Sequence, residues 1–218
     1  LLTTLYAEGM PYGFCMSSSN TDRRLLSSST LASACDEGED VATWAMGNAA
    51  WNAGNHTNTN FPWDEDCRFY LRNHTMRVTN LILKRIHEVP FDEGDPDFNK
   101  RTTGEAYFMR AMLLWEGVYR YGGMPIVRDV IDPTDFSQRP RNSFSDCIDS
   151  ILIDCDRATQ YLPDYYTDNA KLGRATRIAA LALKARVLLY AASPLFNTST
   201  PYMSFPGHED LIGYGNYD

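Results

Sequence analysis

The chain has 218 residues, 44% of them hydrophobic and 22% charged, with a formal net charge of −8. That length can bury a sizeable core, and that balance describes a globular chain rather than a disordered one. The acidity argues against nucleic acid as a partner and gives no pull toward anionic lipid, and no apolar run approaches the ~20 residues of a membrane helix.

Leu1, Leu2, Leu5 and Tyr6 give residues 1–9 the pattern of a helix tail, broken by Gly9 and Pro11. With no initiator Met and no signal peptide before this helix, the chain reads as trimmed at the amino end. Residues 12–63 differ in character: serine runs at 17–19 and 27–29, many Gly and Asn, and three of the four tryptophans, Trp44, Trp51 and Trp63. A short helix fits Val41 to Trp51. Loops of this length are uncommon inside a compact domain and are usually functional.

After Pro62 a long helix is predicted over 64–89. Asp64, Glu65 and Asp66 fill its first turn, where the helix dipole favours negative charge. Leu71, Val78, Ile82, Ile86 and Val89 form its apolar ladder, and Pro90 ends it. An acidic turn, 91–99, follows. Thr102-Thr103-Gly104-Glu105 has the spacing of a capping box and predicts a helix from there to about Tyr121. Phe108, Met112, Trp115 and Tyr119 line one face and Ala111, Leu114 and Val118 the next, so this helix is expected to be buried on more than one side.

Gly122-Gly123 stops it. Pro125, Pro133 and Pro140 make 124–142 an extended connection with room for one short strand. Ser143 with Asp146 caps a further helix to about Leu162, with Ile148, Ile151, Leu152, Cys155 and Leu162 inward and Pro163 closing it. In the last helix, within 173–196, Ile178, Leu181, Ala182, Ala185, Leu188, Leu189 and Ala192 follow the i, i+3, i+4, i+7 ladder expected of an inward face. Ala179, Ala180 and Ala191 keep its other faces small, so a helix gripped on two sides is expected. Lys184 and Arg186 can lay their stems along apolar surface with the charges in water. Pro194 ends the helix, and 194–218 is a loop-like tail without a natural stop.

The fold class expected is therefore all-α, four or five helices as antiparallel neighbours. The spacing is too irregular for a strict repeat and supports helical hairpins stacked on one another.

The tryptophan loop is the best candidate for binding chemistry. Trp44, Trp51 and Trp63 stand among Asn48, Asn52, Asn55, Asn58 and Asn60. Sugars present apolar C–H faces and a rim of hydroxyls; flat aromatic rings cover the faces, and amides, which donate and accept, suit the rim. Two roles stay open to each indole: plugging the loop onto the helices, or contacting ligand. No catalytic constellation competes. The carboxylate pairs Asp36/Glu37, Asp64/Glu65 and Asp92/Glu93 are adjacent in sequence and point apart, whereas glycoside hydrolysis needs two carboxyls facing each other across a cleft. Asp95-x-Asp97-x-Asn99 starts like a calcium loop but has Lys100 at the sixth position and Ala106 at the twelfth, so it reads as a solvated turn. His56, His74, His87 and His208 lack metal-ligand spacing. Cys147 and Cys155 are ~12 Å apart along one predicted helix and cannot pair. Cys15, Cys35 and Cys67 allow one bridge that spacing does not identify. No metal and no cofactor is expected.

Two stretches carry a resemblance. Glu105-Ala106 leads through Arg110-Ala111 to Arg120-Tyr121-Gly122-Gly123-Met124-Pro125-Ile126-Val127. Some 50 residues on come Gly173-Arg174-Ala175-Thr176, Ala180 to Arg186, and Leu189-Tyr190-Ala191-Ala192-Ser193-Pro194. In this order they resemble the SusD/RagB family of outer-membrane glycan-binding lipoproteins, over its amino-terminal half only, family members being about twice this long. The resemblance implies a scaffold of tetratricopeptide-like hairpins presenting long variable loops. Here 12–63 would be the loop-rich ligand region, 64–193 the helical scaffold and 194–218 the tail of a truncated chain. It also implies a glycan site built partly from the amino-terminal loops and partly from the carboxyl half. Asp36-Glu37 resembles the pair at the head of that loop region, and Asp36, Trp44, Trp51, Asn52 and Trp63 are the expected glycan contacts. The implied activity is capture of an oligosaccharide or polysaccharide at the extracellular face of the outer membrane, without catalysis. The implied partner is a SusC-like TonB-dependent transporter, and the implied membrane attachment a lipid on a cysteine upstream of this chain. The alternative is a helical-repeat module binding peptide or protein ligands; indoles facing solvent favour the first, indoles buried under helices the second.

Overall fold

The computed structural model describes residues 1–9, 69–132, 134, 135 and 137–214. These form helices α1 (Leu2–Gly9), α2 (Phe69–Arg85), α3 (Phe98–Tyr121), α4 (Phe144–Tyr161) and α5 (Arg177–Ala191), with one-turn 3-10 helices at Ile86–Glu88, Asn169–Lys171 and Glu209–Leu211. No strand occurs among the described residues, so the fold is all-α as expected. Residues 1–10 and 74–218 make one compact unit.

α3 is the axis. Every residue from Gly104 to Val118 except Tyr107 is buried, because α1, α4 and α5 all pack on it. The broadly apolar sequence of α3 demanded this surround. Gly104 lies against Tyr161 and Leu162, Arg110 meets Asp154, and Met124 just beyond α3 meets the Cys147 thiol. The partners count down as α3 counts up, so α3 and α4 form an antiparallel hairpin. α4 and α5 form another: the Arg177 N–H donates to Pro163 O at 2.8 Å, and Lys184 Nζ pairs with Asp156 at 2.5 Å. The helical hairpins expected from the sequence are therefore present.

The core has two parts. Trp115, Val118, Phe144, Ile148, Ile151 and Val187 lie in one; Leu5, Val78, Ile82, Met109, Ala158 and Ala180 lie in the other. Of the predicted α4 face, Ile148, Ile151, Cys155 and Leu162 are buried and Leu152 is half-buried. Ser143 caps α4 as expected, its Oγ accepting from the Asp146 N–H at 3.0 Å, and Thr176 caps α5 in the same way from Ala179 at 3.1 Å.

Three expectations are corrected. First, α3 starts at Phe98 rather than at Thr102, so Thr102 and Glu105 lie inside the helix. Glu105 is fully buried and its carboxylate is taken by Arg174, so it cannot serve as a cap. Secondly, the connection 124–142 holds no strand among its described residues. Side chains rather than a ladder satisfy several of its backbone groups: Asn80 donates to Val127 O and Asp129 O, and Asn142 Oδ1 accepts from the Ile126 N–H, while a single backbone bond, Asn142 N–H to Met124 O, joins its ends. Thirdly, the face of α5 read as inward faces out. Ile178, Leu181, Ala182, Ala185, Leu188, Leu189 and Ala192 are all exposed, whereas Ala180, Val187 and Ala191 are the buried positions. Helix period finds an apolar stripe but not which neighbour covers it.

The tail after α5 is irregular yet anchored. Phe196 stacks on Phe144 at 4.6 Å between ring centres, Tyr214 meets the same ring edge-on at 5.3 Å, and Leu211 is buried. Gly122 adopts φ 75°, and a Cβ there would lie 2.0 Å from Leu211 O, so this turn admits only glycine.

Candidate functional site

The predicted glycan contacts Asp36, Trp44, Trp51, Asn52 and Trp63 lie outside the described residues, as do Cys15, Cys35 and Cys67. The described residues supply the frame and three open cavities.

Two ion-pair networks fix the frame. Arg110 donates Nε and one terminal N–H to both oxygens of Asp154 at 2.7 and 2.8 Å, and its other terminal N–H to Asn80 Oδ1 at 3.1 Å. Arg128 adds bonds to Asp154 and to Ser150. Arg110 is 5% and Asp154 2% exposed. The network thus joins α2, α3, α4 and the 124–132 segment with paired rather than lone charges, the condition for burying them. In the second network Arg174 clasps the buried Glu105 with two bonds of 2.6 and 2.7 Å. Beside it Tyr6 Oη accepts from the Ala175 N–H, and the Tyr166 hydroxyl donates to Ala175 O. Burial, reinforced by the Glu105 charge, raises the Tyr6 hydroxyl pKa well above the usual value and pushes that of Tyr166 up to about 12. Both phenols stay neutral and serve as hydrogen-bonding posts. Glu105 and Arg174 belong to the two separate stretches that carry the family resemblance, and the fold brings them into contact across 69 residues of sequence.

Thiol chemistry is disfavoured at Cys155, whose pKa burial pushes up to about 12, and burial raises that of Cys147 as well. The Asp95 carboxylate, first residue of the calcium-like turn, is taken by Arg101 and Lys171. No cluster of metal-ligating side chains lies among the described residues. No described helix is long and apolar enough to cross a membrane.

One cavity of about 400 Å³ is walled mainly by aliphatic side chains, among them Leu1, Leu81, Ile82, Ile86 and Val89. A second, of about 370 Å³, lies where the end of α3 meets the tail, lined by Tyr119, Tyr121, Leu195, Phe196, Tyr202 and Met203. A smaller one of about 240 Å³ is lined by Tyr161, Tyr165, Tyr166, Lys100, Asp168 and Lys171. Ligand pockets typically measure about 300–1,000 Å³, a range that holds the first two; of these the second carries most of the aromatic side chains. Its aromatic walls can cover the C–H face of a sugar ring. Sequence reading missed it because Tyr202 and Met203 sit in a Pro-rich tail without periodicity.

A family model described as starch-binding and associating with the outer membrane, of the SusD-like kind, matches residues 15–189. This chain belongs to the SusD-like family. The match takes in every predicted glycan contact. A SusD-like protein from Bacteroides fragilis is 31% identical, with a TM-score of 0.60 over 87% of this chain and 33% of its own. A laminarin-binding SusD-like protein is 20% identical, with a TM-score of 0.67 over 87% of this chain and 38% of its own. Surface glycan-binding protein A from Bacteroides fluxus is 18% identical, with a TM-score of 0.60 over 87% and 38%. The last two establish likeness of fold alone. This SusD-like chain spans about a third of the length of the solved structures it matches, 33%, 29% and 35% for three of them. No curated protein matches it.

Proposed function

We propose that the protein binds an oligosaccharide or polysaccharide at the outer surface of the outer membrane and passes it, without catalysis, to a SusC-like TonB-dependent transporter. The observation that carries this reading is the family match over 15–189, which runs through the tryptophan loop and through both ion-pair networks of the frame. Two relatives of the same fold are named for the glycans they bind, laminarin in one case. The residues proposed to hold the sugar are Trp44, Trp51 and Trp63 for the ring faces, with Asp36 and Asn52 bonding hydroxyls. The frame keeps the rigid elements on which such loops depend. Residues 12–63 act as the ligand region, 64–193 as scaffold and 194–218 as a connecting tail. A lipid on a cysteine upstream of Leu1 anchors the protein to the membrane.

The test is affinity electrophoresis of the full-length protein in gels carrying laminarin, starch or xylan. Retardation in at least one gel, reduced by Trp44→Ala, Trp51→Ala or Trp63→Ala, is the expected result. Retardation by none of a broad glycan panel would overturn the carbohydrate reading. Co-purification of a barrel transporter from outer-membrane extracts tests the delivery step.

A further inference from the structure

The smallest of the three cavities, about 240 Å³, brings aromatic rings and unspent polar groups together. It lies where the first turn of α3 meets the connection from α4 to α5, and it shares no residue with the tryptophan loop. Tyr161, Tyr165 and Tyr166 line it. The Tyr166 hydroxyl is held by Ala175 O, which fixes that ring in the wall. Tyr165 is 72% exposed and offers its ring to solvent.

The polar groups fall into two sets. Arg101, 5% exposed, donates both terminal N–H groups to Asp95 at 3.0 and 2.5 Å. Its Nε N–H is buried with no acceptor among the described residues. Buried donors are almost always paired, so this one calls for an acceptor supplied from outside the chain. On the rim stand Asp97 and Lys100, both exposed, and neither side chain has a hydrogen-bond or ion-pair partner among the described residues. Across from them Lys171 is shared loosely between Asp95 at 3.5 Å and Asp168 at 3.8 Å. Three cations, Lys100, Arg101 and Lys171, thus face three carboxylates, Asp95, Asp97 and Asp168. An anionic ligand would meet the carboxylates and a cationic one the cations, whereas a neutral ligand that both donates and accepts meets a partner for each of its groups.

We infer that this cavity is a second saccharide subsite, which takes one ring of a neutral, hydroxyl-rich glycan. The Tyr165 ring covers the C–H face of the sugar. Lys100 donates to hydroxyl oxygens, and the Asp97 carboxylate accepts from hydroxyl hydrogens. The volume lies below the usual span for whole ligands, so it suits a single ring of a chain whose remainder lies in solvent. Two subsites on one protein hold a long glycan more firmly than either alone, because the second contact forms within a complex already made. The class of ligand rests on the carbohydrate reading above; the place and the residues do not.

The full-length protein is footprinted with hydroxyl radicals, alone and with the gel glycan that retards it most. Tyr165 should be oxidised severalfold more slowly with glycan present, together with protection in the tryptophan loop. Protection of the tryptophan loop with an unchanged rate at Tyr165 overturns this inference and leaves the carbohydrate reading standing. Retardation by no glycan removes both. Protection of Tyr165 that requires the transporter rather than the glycan overturns the inference as well, and marks the surface as a protein contact. As a second measurement, Tyr165→Ala and Lys100→Ala should each weaken retention in the gel severalfold. Both side chains are exposed, so the unliganded melting midpoint should stay where it is. Full retention by both variants overturns the subsite.

Discussion

At the scale of single residues, burial decides which ion pairs matter. Arg110–Asp154 is almost wholly out of water, while Arg177–Asp164 is about half exposed on both sides. Removing one member of a buried pair leaves an uncompensated charge and costs about 3–5 kcal/mol, whereas an exposed pair is worth about 0–1 kcal/mol. Arg110→Met should therefore lower the unfolding free energy by several kcal/mol in urea titration, and Arg177→Met should leave it nearly unchanged. Equal effects of the two would mean that the buried network carries no special weight. Asp95 makes a pH-dependent contribution. The Arg101 guanidinium, aided by Lys171, holds its carboxyl down to about 2 against the opposing effect of burial. Its folded pKa thus lies below the unfolded value of about 3.9, so the stabilisation is complete above about pH 4 and is lost as pH falls toward 2. Asp95→Asn should flatten the acid limb of a stability–pH curve in that window and leave its slope near neutrality unaltered.

At the scale of elements, the α3–α4 hairpin depends on one missing side chain. A Cβ on Gly104 would lie 2.8 Å from Leu162 Cγ and 2.9 Å from Tyr161 Cβ, neither of which is the free end of a flexible chain. Alanine would gain about 1 kcal/mol of helix propensity, but forcing the helices apart costs about 1–3 kcal/mol. Gly104→Ala should be destabilising on balance, seen as a lower midpoint in thermal unfolding followed by circular dichroism. The same hairpin illustrates what was legible in the sequence. The Ser143 cap and the all-round burial of α3 depend on residues within a turn or two, and local pattern sufficed for them. Thr102-x-x-Glu105 failed because the fate of Glu105 is settled by Arg174, 69 residues away. The α5 face failed for a related reason: an apolar stripe states that something must cover it, and α3 and α4 claim Ala180, Val187 and Ala191 instead. The tryptophan-rich stretch 12–63 lies outside the described residues and is read from composition alone, since indoles among asparagines carry no period from which to place a side chain.

At the scale of the whole molecule, the open question about each indole becomes a question about which state it stabilises. A glycan that binds only the folded protein adds RT ln(1 + [L]/Kd), about 2.7 kcal/mol at a hundredfold excess over Kd, and raises the thermal midpoint accordingly. An indole that stacks on sugar contributes to that increment and little to the unliganded protein. An indole that plugs the loop onto the helices contributes to the unliganded protein, and its loss to alanine costs about 3–5 kcal/mol whether or not sugar is present. Melting the full-length protein with and without a retained glycan therefore separates the two roles in one measurement. We expect at least one of Trp44→Ala, Trp51→Ala and Trp63→Ala to keep the unliganded midpoint and lose the glycan-induced rise. If all three instead lower the unliganded midpoint while the rise on adding glycan persists, the indoles are packing residues and the sugar is held elsewhere. The aromatic cavity between Tyr121 and Tyr202 is then the next place to test, by Tyr202→Ala in the same melt.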